Sequence, residues 1–249
     1  PDAKACRAIG FETFDAEIKK AGLYGDPLWR ALPGLCARRA PSAVWSEKDF
    51  KRLNAFKLDF NLMRVGDAPG IFSASEQKEA GFAVTREVAG VAGPQCLKGT
   101  DKKGLSKNFY PYMHVAPRGL NEGRVVFSFA AMQPAQGAAQ FVVEFRGRQG
   151  TGDTGPSLVF ARNGEVRANG KPVCALVPGA WTRFEVAFAL GDKHTDGYTL
   201  TVRDAAGEKN VALPFGKASF DQLCWLGITA PDNADGCFYL DALKLSVAE

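Results

Sequence analysis

Only two of the 249 residues are histidine, His114 and His194, and neither has a cysteine or second histidine at zinc-ligand spacing. The six cysteines, Cys6, Cys36, Cys96, Cys174, Cys224 and Cys237, form no C-x-x-C pair. No apolar run approaches the roughly 20 residues that cross a bilayer, so no membrane-spanning helix is expected. Charge of one sign is scarce as a surplus: 31 Lys and Arg stand against 27 Asp and Glu, a net +4 spread along the chain. That gives no basic footprint for nucleic acid or a membrane surface. Gly-x-Ser-x-Gly, P-loop and dinucleotide fingerprints are absent, and Gly147–Gly152 lacks both the spacing and the following helix that a nucleotide loop needs.

What is present is ordinary for a globular protein. A content of 46% hydrophobic, 11% aromatic and 23% charged residues excludes disorder, collagen-like repetition and coiled coil. The length suits one large β domain or two small ones. The chain starts at Pro1 with neither an initiator Met nor a signal-peptide core, and so reads as a processed or excised piece of a longer protein. An even number of cysteines allows three disulfides in an oxidising compartment, and six buried thiols fit as well. Cys224 and Cys237 are the one specific pairing the spacing suggests, across a hairpin.

Organisation changes along the chain. Residues 1–45 form an N-terminal segment, the possible tail of a preceding domain, in which Asp26–Leu32 reads as a short helix with Asp at the N-cap and Pro next. Pro33-Gly34 stops it. This segment cannot bury Phe11, Phe14, Tyr24 and Trp29 by itself and must pack on something else. Residues 46–55 read as a linker or second short helix, Glu47–Phe56, capped by Ser46. From residue 56 to 249 the texture is strands between Gly, Pro, Asn and Asp turns. Period-two alternation puts Val125, Phe127 and Phe129 on one side, likewise Phe141, Val143 and Phe145, and likewise Phe184, Val186 and Phe188. Asn163-Gly164 and Asn169-Gly170 are tight-turn signals. Many short strands with almost no helix predict an all-β antiparallel sandwich of the jelly-roll type.

Asp59-Phe60-Asn61 with Val65–Pro69 resembles the opening strand of concanavalin A-like and laminin G-like jelly rolls of secreted bacterial proteins. Phe82–Ala89 and Gln95–Asp101 resemble the next two strands, and Trp225–Thr229 and Phe238–Ser246 the closing ones. Ile9–Asp15 with Ala21–Trp29 is similar to the tail that follows a right-handed parallel β-helix in large polysaccharide-acting bacterial proteins. The resemblance implies a secreted, periplasmic or cell-surface location. It also implies a larger multidomain protein around this chain and a polysaccharide partner.

Three chemistries are then open. If the Phe-rich sides of the strands fill the core, parity aims Tyr110, Tyr112, His114, Glu144, Arg146, Trp181 and Arg183 at an outer face. Aromatic rings stack on sugar C–H faces and arginine forks take hydroxyls or uronate carboxylates, so this is a candidate carbohydrate-binding face whose arginines favour an acidic glycan. The alternative is a solvated outer face. The resemblance also implies a structural Ca²⁺, with Asp59, Asn61, Asp101 and Asp241 at the matching positions and Asn61 standing where the family commonly has Glu. For catalysis, the E-x-D-x-x-E strand of a retaining glucanase is missing. Glu144-Phe145-Arg146 and Tyr112-Met113-His114 echo the residue types of a polysaccharide lyase in a different order, with His114 as a candidate base. The first expectation is therefore a non-catalytic, carbohydrate-binding or accessory module. A jelly-roll lyase or glycoside hydrolase, or a structural subunit, stands as the alternative.

Overall fold

The computed structural model describes residues 55–248, leaving aside 78, 118 and 119. The N-terminal segment 1–45 and its Asp26–Leu32 helix lie outside the described residues, as does all but the end of Glu47–Phe56. Phe56 itself is not the end of a helix: it opens a strand.

The strands, in chain order, are β1 (Phe56–Leu58), β2 (Ser73–Ser75), β3 (Gly81–Thr85), β4 (Cys96–Asp101), β5 (Tyr112–Val115), β6 (Gly123–Met132), β7 (Phe141–Arg146) and β8 (Thr154–Phe160). They continue with β9 (Glu165–Ala168), β10 (Lys171–Ala175), β11 (Thr182–Leu190), β12 (Gly197–Asp204), β13 (Gly207–Pro214), β14 (Trp225–Thr229) and β15 (Gly236–Ala248). Helical structure among the described residues is limited to two short 3₁₀ turns, Gly150–Asp153 and Gly191–Lys193. One sheet has eight strands in the order β13-β12-β11-β6-β15-β4-β3, with β1 on the far half of β15; the other has seven in the order β10-β9-β8-β7-β14-β5-β2. Every strand pairing is antiparallel, and sequence neighbours often sit in different sheets. This is a jelly-roll sandwich.

The alternation seen in the sequence is what closes it. Phe127, Phe129, Phe184, Val186, Phe141, Val143, Phe145 and Phe160 are all buried between the sheets. Phe141 lies almost flat between Phe160, at 4.2 Å and 4°, and Phe238, at 4.1 Å and 12°. Phe160 meets Phe184 edge-on across the sandwich at 5.1 Å. Aromatic packing of this density fixes the spacing of the two sheets, because each ring is held by partners from both.

Both Asn-Gly pairs are turns. Asn163-Gly164 links β8 to β9, and Asn169-Gly170 links β9 to β10 with φ of 45° and 80°, as a two-residue turn with both centres left-handed requires. Asn169 also accepts from the Ser157 N–H at 2.8 Å and donates to the Pro214 carbonyl at 2.7 Å, tying β8 to the end of β13. The suggested Cys224–Cys237 bridge is not formed: both are free thiols. Cys224 precedes β14, where its N–H bonds the Arg146 carbonyl, whereas Cys237 lies in the other sheet opposite Thr100. Spacing across a supposed hairpin misled because β14 and β15 do not pair.

Candidate functional site

The outer face of the seven-stranded sheet gathers five of the seven expected sugar-facing residues. In β5, Met113 turns into the core while Tyr112 and His114 turn out. In β7, Val143 and Phe145 are buried while Glu144 and Arg146 alternate outward. Strand β14 runs between them, placing Gly227 opposite both His114 and Glu144, and Trp225 opposite Arg146. Leu226 and Ile228 are buried, which turns Trp225 to the outer face.

The result is a continuous ladder of planar groups. Phe109 meets Tyr110 edge-on at 5.2 Å, and Tyr110 stacks with Tyr112 at 5.7 Å. Tyr112 leans on His114 at 5.7 Å, and His114 stacks with Trp225 at 5.7 Å and 20°. The Arg146 guanidinium then lies 4.1 Å from the centre of the Trp225 ring, a cation–π contact. Arg146 also donates Nε to Glu144. Gly227 makes room for this arrangement, since a Cβ there would fall 2.1 Å from the outer edge of the Trp225 ring.

His114 is the chemically distinctive member. Its Nδ1 is buried with no hydrogen-bond partner. Burial, then the nearby Arg146 charge, hold its pKa below the ordinary imidazole value, against a hydrogen bond with the Ser73 backbone. The ring is therefore neutral at neutral pH and carries a lone pair or N–H with no protein partner.

Trp181 and Arg183 do not belong to this face. Trp181 immediately precedes β11 and Arg183 lies in it, in the eight-stranded sheet, where Arg183 pairs with Ala130 and Arg203. Trp181 donates its indole N–H to the Ala89 carbonyl at 3.0 Å and packs by Cys96, Met132 and Tyr239. Alternation told which side of its strand each residue occupies; it could not tell which sheet the strand joins. Conversely, the face uses Trp225, Gly227 and Phe109, which sequence reasoning left out. The Trp225–Thr229 alternation was the available signal, but it points to this site only once β14 is known to run between β5 and β7.

The four residues expected at a calcium site are not one constellation. Asp59, Asn61 and Asp241 come together, with Asp59 accepting from the Asn61 N–H at 3.3 Å and its charge felt by Asp241. Asp241, however, receives the N–H groups of Ala92 at 2.9 Å and Ala242 at 2.7 Å, in the β15 bulge. Its oxygens are spent on holding the loop before β4. Asp101 is elsewhere, at the far end of β4 opposite Gly236 and beside Asp232 and Arg162. Among the described residues no group of three or more His, Cys, Asp and Glu side chains is placed to hold a metal, so this donor set does not fit Ca²⁺.

Asp101 has a different consequence. It is fully buried and one carboxylate oxygen has no partner. Burial pushes its pKa up to about 6, against the N–H groups of Lys102 and Ala234. The folded-state value lies above the unfolded one, so its contribution is favourable below pH ~4 and is lost as pH rises to about 6. Asp101→Asn is therefore expected to stabilise the protein at pH 7 by about 1–3 kcal/mol and to change nothing at pH ~3.5. Urea denaturation at the two pH values checks this; equal effects at both would remove the explanation.

Comparison with known proteins adds the following. No protein-family model matches the chain, and no curated protein matches it either. Among solved structures, it is similar to an endo-β-1,4-glucuronan lyase from the fungus Trichoderma reesei, with a TM-score of 0.55 and 11% identity over 78% of this chain and 95% of that one. It is also similar to the catalytic domain of a glycoside hydrolase family 131 protein from Coprinopsis cinerea, with a TM-score of 0.54 and 10% identity over 76% and 92%. A third likeness is to the alginate lyase Aly36B, with a TM-score of 0.51 and 11% identity over 78% and 96%. What is shared is the fold.

Proposed function

We propose that the ladder on the seven-stranded sheet is a polysaccharide track and that the chain cleaves uronate-containing polymers there by β-elimination. The observation that carries this reading is the partly exposed, neutral imidazole of His114, set among tyrosines, a tryptophan and an arginine on one open face. In this reaction the neutral imidazole removes the proton at C5, α to the uronate carboxylate. The electron pair forms the C4=C5 bond, and the C4–O glycosidic bond breaks. The Tyr112 hydroxyl gives its proton to the departing oxygen. Arg146 keeps its Nη groups for the substrate carboxylate, whose charge grows in the transition state. Phe109, Tyr110 and Trp225 supply flat surfaces for neighbouring sugar rings. Two of the three structural relatives described above are lyases, which favours this reading over the non-catalytic one first expected. A polymer substrate goes with a secreted, periplasmic or cell-surface location.

One observation favours a second reading, a binding module without catalysis. Glu144 already neutralises Arg146, which weakens its hold on a uronate. Incubation with polyglucuronate, alginate and neutral β-glucans separates the two. The lyase reading expects unsaturated ends absorbing near ~235 nm; retention on an affinity gel without such product establishes the module, and neither result sinks both.

The face itself has its own test. Trp225→Ala is expected to weaken retention on the polymer by about tenfold or more, the loss of roughly one stacked ring. Trp181→Ala, on the other sheet, is expected to leave it unchanged. The opposite pattern in affinity electrophoresis would move the track to the eight-stranded sheet.

A further inference from the structure

Strand register extends the ladder's face beyond β7. Val159 of β8 stands opposite Val142 of β7, and Arg167 of β9 stands opposite Val159. Leu158, Phe160, Val166 and Ala168 are buried, so Val159, Glu165 and Arg167 alternate outward on the same side as Glu144 and Arg146. From β5 to β9 the sheet order β5-β14-β7-β8-β9 spans roughly 19 Å at about 4.8 Å per strand, the length of several sugar rings. A hollow of about 430 Å³ lies at the β9 end, lined by Gln140, Val159, Arg162, Arg167 and Asp232, among others.

The charges on this face come in pairs. Arg167 donates Nε and Nη2 to the two carboxylate oxygens of Glu165 at 2.9 and 3.1 Å. Arg162, in the β8–β9 turn, is paired with Asp232, and its Nη2 donates to the Asp235 carbonyl at 3.3 Å. Arg146 is paired with Glu144. Each arginine that β7, β8 and β9 and their turn present on this face therefore has a carboxylate of its own. Lys103, in the loop after β4, gives its N–H to the Asp235 carboxylate at 3.1 Å, so there too an acid accompanies the base. Arg148, two residues past Arg146, differs: its fork rests on the neutral Gln222 amide oxygen at 3.0 and 2.8 Å. One uronate carboxylate can thus find a counter-charge at the Arg146 end of the ladder. Another, lying over β8 and β9, would meet pairs that are already neutral, losing water without gaining a partner. A hydroxyl group both donates and accepts. Vicinal hydroxyls of a neutral sugar suit such pairs, accepting from the spare guanidinium N–H groups and donating to the carboxylates.

We infer that the stretch of the face over β8 and β9 holds neutral sugar units, so that the substrate is a polymer whose uronates are spaced by neutral sugars rather than a homopolyuronate. This rests on the ladder being a polysaccharide track, and not on its being catalytic. The test is affinity electrophoresis of the whole chain in gels holding polyglucuronate or alginate, each used intact and with every second carboxylate, on average, reduced to the alcohol. Within each pair the backbone and linkage are the same and only the charge spacing differs. For at least one pair, the reduced polymer is expected to retain the protein about tenfold more strongly than the intact one. Glu165→Gln leaves the Arg167 charge without its acid, at a partly exposed position away from the core. It is expected to raise retention on the intact polymer by about fivefold and to change that on the reduced one by less than about twofold. Asp232→Asn, which frees Arg162, should act in the same direction. Retention on the intact polymers equal to or above that on the reduced ones overturns the inference and leaves the track in place. So do Glu165→Gln and Asp232→Asn variants that both discriminate as the parent does. Retention on none of the four polymers removes the track itself, and the inference with it.

Discussion

Replacing His114 by alanine is expected to slow uronate elimination by about 10²–10⁴-fold while retention on the polymer falls little, because a positioned base acts in the transition state and hardly in binding. The pH profile supplies a second readout. Since burial and Arg146 hold the His114 pKa below the ordinary imidazole value, the base is ready at a lower pH than a free imidazole. The acidic limb of kcat/KM should therefore lie below pH ~6.5. Arg146→Gln removes one of those two causes and should move the limb upward, besides lowering the rate. A His114→Ala variant as active as the parent would place the base elsewhere. A limb that ignores Arg146 would show that the two groups are not coupled as their positions on either side of β14 imply.

Phe141→Ala is expected to cost about 3–5 kcal/mol of folding stability, the range for removing a large buried aromatic. Phe141 is fully buried and sandwiched between Phe160 of its own sheet and Phe238 of the other. Its removal therefore leaves a cavity lined by rings that neighbours on both sides hold in place. Phe109→Ala is the control: that ring is 47% exposed beside Tyr110 and Tyr112. Stability there should change by no more than about 0.5 kcal/mol, while polymer retention weakens. Urea titrations of the two variants, read with an affinity gel, make the comparison. A loss at Phe141 below about 1 kcal/mol would mean that the core closes over the gap, against the packing described here.

Local patterning along the chain suffices for the class of fold and the inner surface of the sandwich. Alternation in Val125–Phe129, Phe141–Phe145 and Phe184–Phe188 marks core-facing sides, and all these alternate positions are buried. The Asn-Gly pairs located two of the turns. These features are local: a strand's period is two, and a left-handed turn needs Gly or Asn within two residues. Which outward-facing residues share a surface depends instead on long-range strand pairing. Tyr112, His114, Glu144 and Arg146 meet because β14 runs between β5 and β7, and that same pairing adds Trp225 and Gly227. Trp181 and Arg183 have the same outward parity, but β11 pairs with β6 and β12 and carries them to the other side of the molecule. Asp101 is kept from Asp241 for a similar reason: the register of β4 on β15 sets Asp101 opposite Gly236, while Asp241 lies beyond that pairing, opposite Ala130 of β6. Pairing of strands far apart in sequence is set by how the two sheets close over their shared core, and a strand's own residues carry no record of its neighbours.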